Sequence, residues 1–290
     1  MSMSNFLENI LAHKKQEVET RKHQISEHTL RARLEQANPP ISLTAALWFD
    51  SAHHDRHPEP FVYAQDKLRR REGLAVIAEI KKASPSAGLI RADFDPVQIA
   101  KSYVQAGANA ISVLTDEQFF QGSLHFIEQI RPVVPAPILR KDFIIDPYQV
   151  LEARAFGADA LLLIVTALDQ SQLQTLLAKT SELGLEALVE VHSADEMRIA
   201  VDAGAKIIGI NNRSLETFKI DLATTEQLAP LAPSDAILVA ESGLHTQADL
   251  QRMIRAGVDA VLVGTHFMKQ PDPGVALQQF LKDFRQDEQD

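Results

Sequence analysis

The chain has no cysteine. Disulfides, thiolate metal sites and thiol nucleophiles are therefore excluded, and the composition fits a reducing compartment. Long apolar runs are missing as well. The longest, Ala160 to Val165, falls far short of the roughly 20 residues a membrane-spanning helix needs. The opening stretch, MSMSNFLENILAHKKQEVETRKHQ, lacks the basic start, apolar centre and small-residue cleavage site of a signal peptide. A cytoplasmic protein with no membrane partner is expected. There is no surplus of positive charge either: the formal net charge is -10, which argues against non-specific nucleic-acid binding. An anionic ligand stays possible, because a local group of lysines and backbone N–H groups can override the overall sign.

What is present is a core-forming composition, with 45% apolar residues in a chain long enough for one large domain or two small ones. From Val76 onward a unit recurs. Eight short apolar runs appear: VIAEI (76–80), AISVLT (110–115), PILRK (137–141), ALLLIV (160–165), EALVEV (186–191), IIGINN (207–212), ILVAES (237–242) and AVLVG (260–264). Between them lie stretches with helical spacing, such as PVQIAKSYVQAG and PYQVLEARAFGA, each opening on proline and ending at glycine. Gly107, Gly157, Gly204 and Gly257 recur at similar intervals, each just ahead of a strand. Apolar strands alternating with helices indicate a parallel sheet covered by helices. Eight even units predict a closed (β/α)8 TIM barrel rather than an open doubly wound sheet. The first 75 residues fall outside the repeat and read as an N-terminal helical extension packed on a single barrel domain spanning 1–290, with Phe6, Ile10 and Val18 as apolar contacts. Residues 50–60 read as an exposed loop.

Alternate residues of a barrel strand face inward. Ile77, Glu79 and Lys81 then share the inner face of the first strand, near its C-terminal end. The same count places Lys141 and Phe143 at the third strand, Glu190 at the fifth, Asn211 at the sixth and Glu241 at the seventh. Buried charges are costly unless paired, so these groups are expected to pair with one another or with a ligand at the barrel mouth. Gly243 and Gly264, in the loops after the last two strands, let the backbone approach closely and suit phosphate binding, with Thr265 adding a hydroxyl.

The motifs EIKKASPS, LTDEQFFQGS, PILRKDFIIDPYQV, GINNRSLETFKID and VAESGL resemble those of the indole-3-glycerol-phosphate synthase family. The resemblance covers roughly Val76 to Met268 together with the helical extension. It implies a (β/α)8 barrel that uses no cofactor and no metal. The reaction it implies closes an indole ring in 1-(2-carboxyphenylamino)-1-deoxyribulose 5-phosphate, with loss of carbon dioxide and water. An anionic phosphosugar is thus the expected partner, and the protein is expected to be a monomer or weak homodimer.

By that resemblance Lys141 is the general acid at the substrate's ketone, and Glu190 is the acid–base group for dehydration. Lys81 contacts the substrate carboxylate, and could also serve as an acid later; the division of labour between the two lysines stays open. Glu79 orients and charge-balances them. Asn211, Glu241 and Ser242 are substrate contacts, and Ser84 belongs to a mobile loop after the first strand. Phe120 and Phe143 wall the anthranilate ring. Gly243, Gly264 and Thr265 hold phosphate, with threonine standing where a serine is common. Arg213 is expected to fix the loop after the sixth strand. The chain's last residues follow the eighth helix, so no fused second enzyme is expected.

Rival readings remain. His53, His54, Asp55 and His57 lack helical ligand spacing, which disfavours a metal cluster. His192 reads as a rim residue and Trp48 as packing. A Schiff-base aldolase would need a neutral lysine, against the expected neighbouring carboxylates. The isomerase of the preceding pathway step lacks EIKKASPS and RKDF. A barrel that only binds phosphosugar is disfavoured by the presence of Lys81, Lys141 and Glu190.

Overall fold

The computed structural model describes residues 4–48, 74–215 and 217–286. The charged loop with its three histidines lies outside the described residues. Eight strands form a closed parallel barrel. They are β1 (Ala75–Ile80), β2 (Ala110–Leu114), β3 (Ile138–Lys141), β4 (Ala160–Ile164), β5 (Glu186–Val191), β6 (Ile207–Asn211), β7 (Ile237–Glu241) and β8 (Ala260–Val263). Each falls on one of the eight apolar runs, and β8 closes on β1 with Ala260 opposite Ala75.

The helix boundaries follow from their punctuation. The helices Pro96–Gln105 and Pro147–Ala155 start at proline behind aspartate N-caps, Asp95 and Asp146. Gly107, Gly157, Gly204 and Gly257 have φ of 100°, 92°, 84° and 82°, the left-handed conformation that ends a helix at low steric cost. Two residues after three of these glycines, a side-chain oxygen closes the barrel's lower rim. Asn109 accepts from the N–H of Val76 at 2.9 Å, Asp159 from Ile138 at 2.7 Å and Asp259 from Leu238 at 2.8 Å.

The strand period sorts the core into two clusters. Val76, Ala78, Ile80, Ile111 and Val113 pack outward against the helices. Ala75, Ile77, Ala110, Leu139, Ala160, Leu162, Leu188, Val239 and Ala260 fill the barrel. Among the described residues three helices precede β1: α1 (Ser4–Gln24), α2 (Glu27–Leu34) and α3 (Leu43–Leu47). Leu43 and Leu47 of α3 join the interior cluster, with Trp48 packed beside them. Glu186 at the start of β5 holds α3 in place, accepting from the N–H of Thr44 at 2.8 Å and from the hydroxyl of Ser42 at 3.2 Å. α1 buries Ile10 and Val18, and the hydroxyl of Tyr148 bonds the carbonyls of Arg21 and Ile25 at its end. Among the described residues no helix is long and apolar enough to cross a membrane.

Candidate active site

The C-terminal ends of the strands surround a cavity of about 440 Å³. Every residue named above as a candidate catalytic or binding group lines it: Glu79, Lys81, Ser84, Phe120, Lys141, Phe143, Glu190, Asn211, Glu241, Ser242, Gly243, Gly264 and Thr265. The barrel closure makes this possible. Register puts Asn211 opposite Glu241 and Glu190 opposite Gly209, so side chains far apart in the chain meet in one layer.

Two ammonium groups and three carboxylates form the floor. Lys141 Nζ lies 2.8 Å from Glu241 Oε2 and 3.3 Å from Glu190 Oε2. Lys81 Nζ lies 2.5 Å from Glu79 Oε1. Burial by itself would lower the Lys141 pKa, but Glu241, Glu190 and Glu79 outweigh it and hold the amine above the ordinary lysine value. Burial would raise Glu190. Lys141, His192 and Asn211 reverse that and keep its carboxyl below the usual range. Glu241 goes the other way: burial first, then the charges of Glu190 and Glu79, push it up to about 7 against the pull of Lys141. Neighbouring carboxylates that share one ammonium are thus driven apart, one held anionic and one able to take a proton near neutrality.

Two glycines make room for this layer. A Cβ at Gly209 would overlap the carboxylate of Glu241, and a Cβ at Gly264 would overlap that of Glu79. Gly264 therefore shapes the acid–lysine pair as well as the loop after β8. In the loop after β7, Ser242 and Gly243 have φ of 66° and 82°. Ser242 is not glycine, so this turn needs external support. Asn212 supplies it, donating to the carbonyls of Glu241 at 3.0 Å and Ser242 at 3.2 Å while accepting from Thr225. Nothing in the sequence reading pointed to Asn212.

The walls come from loops. The rings of Phe120 and Phe143 are 6.3 Å apart and tilted by 41°. Ser84 sits on a small hairpin, Ala83–Ser84 paired with Gly88–Leu89, and its hydroxyl accepts from the N–H of Ala87 at 3.2 Å. Arg213 bridges its own loop, pairing with Ile220 and donating to the carbonyl of Phe218 at 3.3 Å. His192 stands at the rim. Its Nε2 is 3.2 Å from Glu190, and Glu196 accepts from its backbone N–H at 2.8 Å. Burial would lower its pKa, yet these two carboxylates raise it to about 10. The sequence reading also left out the contribution of α1, whose Phe6, Leu7 and Ile10 line the cavity. Phe6 packs edge-on against Phe119 and Phe218, joining two loops.

A closed eight-stranded parallel barrel with its charged groups at the C-terminal mouth is a (β/α)8 barrel of the kind that builds active sites at that end. Solved structures agree on the fold. A thiamine phosphate pyrophosphorylase from Pyrococcus furiosus superposes with a TM-score of 0.57 at 16% identity, covering 73% of this chain and 96% of that one. KGPDC from Streptococcus mutans gives 0.57 at 16%, covering 74% and 99%. Sequence comparison is more specific. Residues 7–280 match the family Indole-3-glycerol phosphate synthase, and the chain belongs to that family. The indole-3-glycerol phosphate synthase of Roseiflexus sp. (strain RS-1) is 49% identical over 278 residues, covering 93% of this chain and 96% of the relative. That of Polynucleobacter necessarius subsp. necessarius (strain STIR1) is 46% identical, covering 95% and 98%.

Proposed function

We propose that the cavity closes the indole ring of the carboxyphenylamino sugar phosphate through Lys141, Glu190, Lys81 and Glu79. The chain is a carbon–carbon lyase of tryptophan biosynthesis, as its family membership shows. The ring carbon that bears the carboxylate attacks the ketone carbon, and Lys141 passes a proton to the ketone oxygen. Carbon dioxide then leaves, and its bonding electrons restore the aromatic ring. The new hydroxyl departs as water with a proton from an acid, and a proton leaves the methylene beside the nitrogen to complete the indole double bond. Glu190, held anionic, suits the acceptor role in that last stage. Lys81, on the same cavity lining, is proposed to meet the substrate carboxylate and keep the chain folded over the aromatic ring.

The observation that carries this reading is Lys141 held between Glu241 and Glu190 in a cavity walled by Phe120 and Phe143. A charged ammonium is a proton donor to the alkoxide that develops, and it is not the neutral amine that Schiff-base chemistry requires. Asn211, Glu241, Ser242 and Ser84 are proposed as substrate contacts. Gly243, Gly264 and Thr265 are proposed as the phosphate cradle, with His245, His266 and Lys269 on the same lining. We further take residues 1–290 as one domain in which residues 1–75 are an extension, supported by α3 inside the barrel cluster and α1 on the cavity wall. The cysteine-free chain suits a cytoplasmic setting.

The test is an indole-fluorescence assay on the purified protein with the carboxyphenylamino sugar phosphate. Steady release of indole-3-glycerol phosphate is expected. Tight substrate binding without an indole signal would leave a binding barrel, and borohydride trapping of substrate on the chain would favour an aldolase.

A further inference from the structure

Lys14 lies midway along α1 and is fully buried. Its ammonium has three protons to donate, and three carboxylates stand around it: Glu17 at 2.8 Å, Asp116 at 2.9 Å and Asp142 at 2.9 Å. Burial would lower its pKa, but these charges hold it above the ordinary lysine value. A buried ammonium matched to three carboxylates is costly to disturb, since removing one partner strands the others.

Two of those carboxylates have a second task. Asp116 Oδ1 accepts from the N–H of Phe119 at 2.7 Å and so opens the short helix Glu117–Phe120. Asp142 Oδ1 accepts from the N–H of Phe143 at 2.8 Å, while its Oδ2 accepts from the Thr115 hydroxyl at 2.6 Å and from Arg140 at 3.0 Å. The N–H of Thr115 in turn donates to the carbonyl of Lys141 at 3.1 Å. Phe120 and Phe143 are the aromatic wall, and Lys141 is the chain neighbour of Asp142. One ammonium from outside the barrel thus ties together the two loops that set the slot width and the end of the strand that aims the acid.

We propose that Lys14 is a positioning residue for the ring closure: through Asp142 it fixes the direction of Lys141, and through Asp116 it fixes the spacing of Phe120 from Phe143. The proposal rests on the reading of Lys141 as the acid. Arginine does not replace it, because a wide planar fork cannot place one nitrogen among three carboxylates.

The experiment compares Lys14→Arg and Lys14→Cys with the parent chain. Because the chain has no other cysteine, unfolding Lys14→Cys, treating it with 2-bromoethylamine and refolding it alkylates that thiolate, with bromide leaving. The product carries an ammonium on a side chain of lysine's length. Lys14→Arg is expected to keep the native circular dichroism while kcat falls by about 10- to 100-fold, the scale of a misplaced catalytic group, and KM rises. Lys14→Cys is expected to fall at least as far, and aminoethylation to restore most of the loss. Parent-level kcat in Lys14→Arg would overturn the proposal. So would an aminoethylated chain that regains the parent's melting temperature without regaining turnover, since Lys14 would then serve stability alone. If Lys14→Arg does not fold, the cysteine pair decides. A loss in Lys141→Ala without one in Lys14→Arg counts against Lys14 alone; a loss in Lys14→Arg without one in Lys141→Ala counts against Lys141 and the route through it.

Discussion

At the N-terminal ends of the strands, Ala75, Ala110, Ala160 and Ala260 turn methyl groups inward, and Leu43 and Leu47 of α3 fill the space they leave. At the other ends the inward positions are Glu79, Lys141, Glu190, Asn211 and Glu241, around an open cavity. The same eight strands supply both layers. The lower one is small, apolar and plugged, so its contribution is close packing and exclusion of water. The upper one is polar and largely charged, and each charge is tolerated because a partner stands within hydrogen-bond reach. The difference shows how a barrel separates folding from chemistry along its own axis: a side chain placed two residues further along a strand moves from one task to the other.

The comparison breaks most sharply at Lys141. Lys141→Ala is expected to reduce turnover by about 10²- to 10⁴-fold, the usual share of a general acid, with native circular dichroism retained. Unchanged turnover would remove Lys141 from the mechanism. Leu47→Ala is the mirror experiment. A fully buried leucine at the plug should cost about 2–5 kcal/mol in urea unfolding while kcat stays near the parent's; a matching collapse in kcat would show that the two ends are not separate. Gly264→Ala falls between the ends in kind. Its methyl group would push the Glu79 carboxylate away from Lys81, so kcat should drop on the order of tenfold along with weaker substrate binding. A change in KM alone would confine Gly264 to the phosphate.

The last effect expected, on stability alone, is a pH slope. His192 has a folded-state pKa of about 10 against an ordinary 6.5. Its stabilising contribution is complete below the unfolded value and is lost as pH rises from 6.5 toward 10. His192→Gln should flatten that part of the stability curve, read from urea midpoints across the interval. An identical slope in both chains would mean that His192 is not the group responsible.

Much of this was legible in the sequence because two signals are strictly local. The period of two put Glu79 beside Ile77 on the inner face, and Gly107, Gly157, Gly204 and Gly257 marked where the strands that follow them begin. Gly264 shows where that reading stopped: its position in the loop after the last strand was clear, but the Glu79 carboxylate lying against it became visible once the barrel was closed. Lys14 was hidden for a different reason. In LAHKKQEVE it is one of two adjacent lysines and looks like helix surface. The signal was its place on the row Ile10, Lys14, Val18, four residues apart on one buried face. A lysine in such a row has to find carboxylates from elsewhere in the fold, and Asp116 and Asp142 are too distant in sequence for any local pattern to name them. Asn212 was hidden likewise, since its partners belong to the next strand's turn.

The bond between Ser42 and Glu186 joins residues 144 apart in the chain. A ribosome releases the helical extension before the barrel; Lys14 and the leucines of α3 meet partners from the first half of the chain, but Ser42 and Thr44 cannot reach Glu186 until more than half of the polypeptide has been made. The piece that stoppers one end and furnishes the other must therefore wait, exposed, for a cylinder that is still being written, and long-separation contacts of this kind delay folding. Formation of β5 and the final docking of α3 are, in this architecture, coupled.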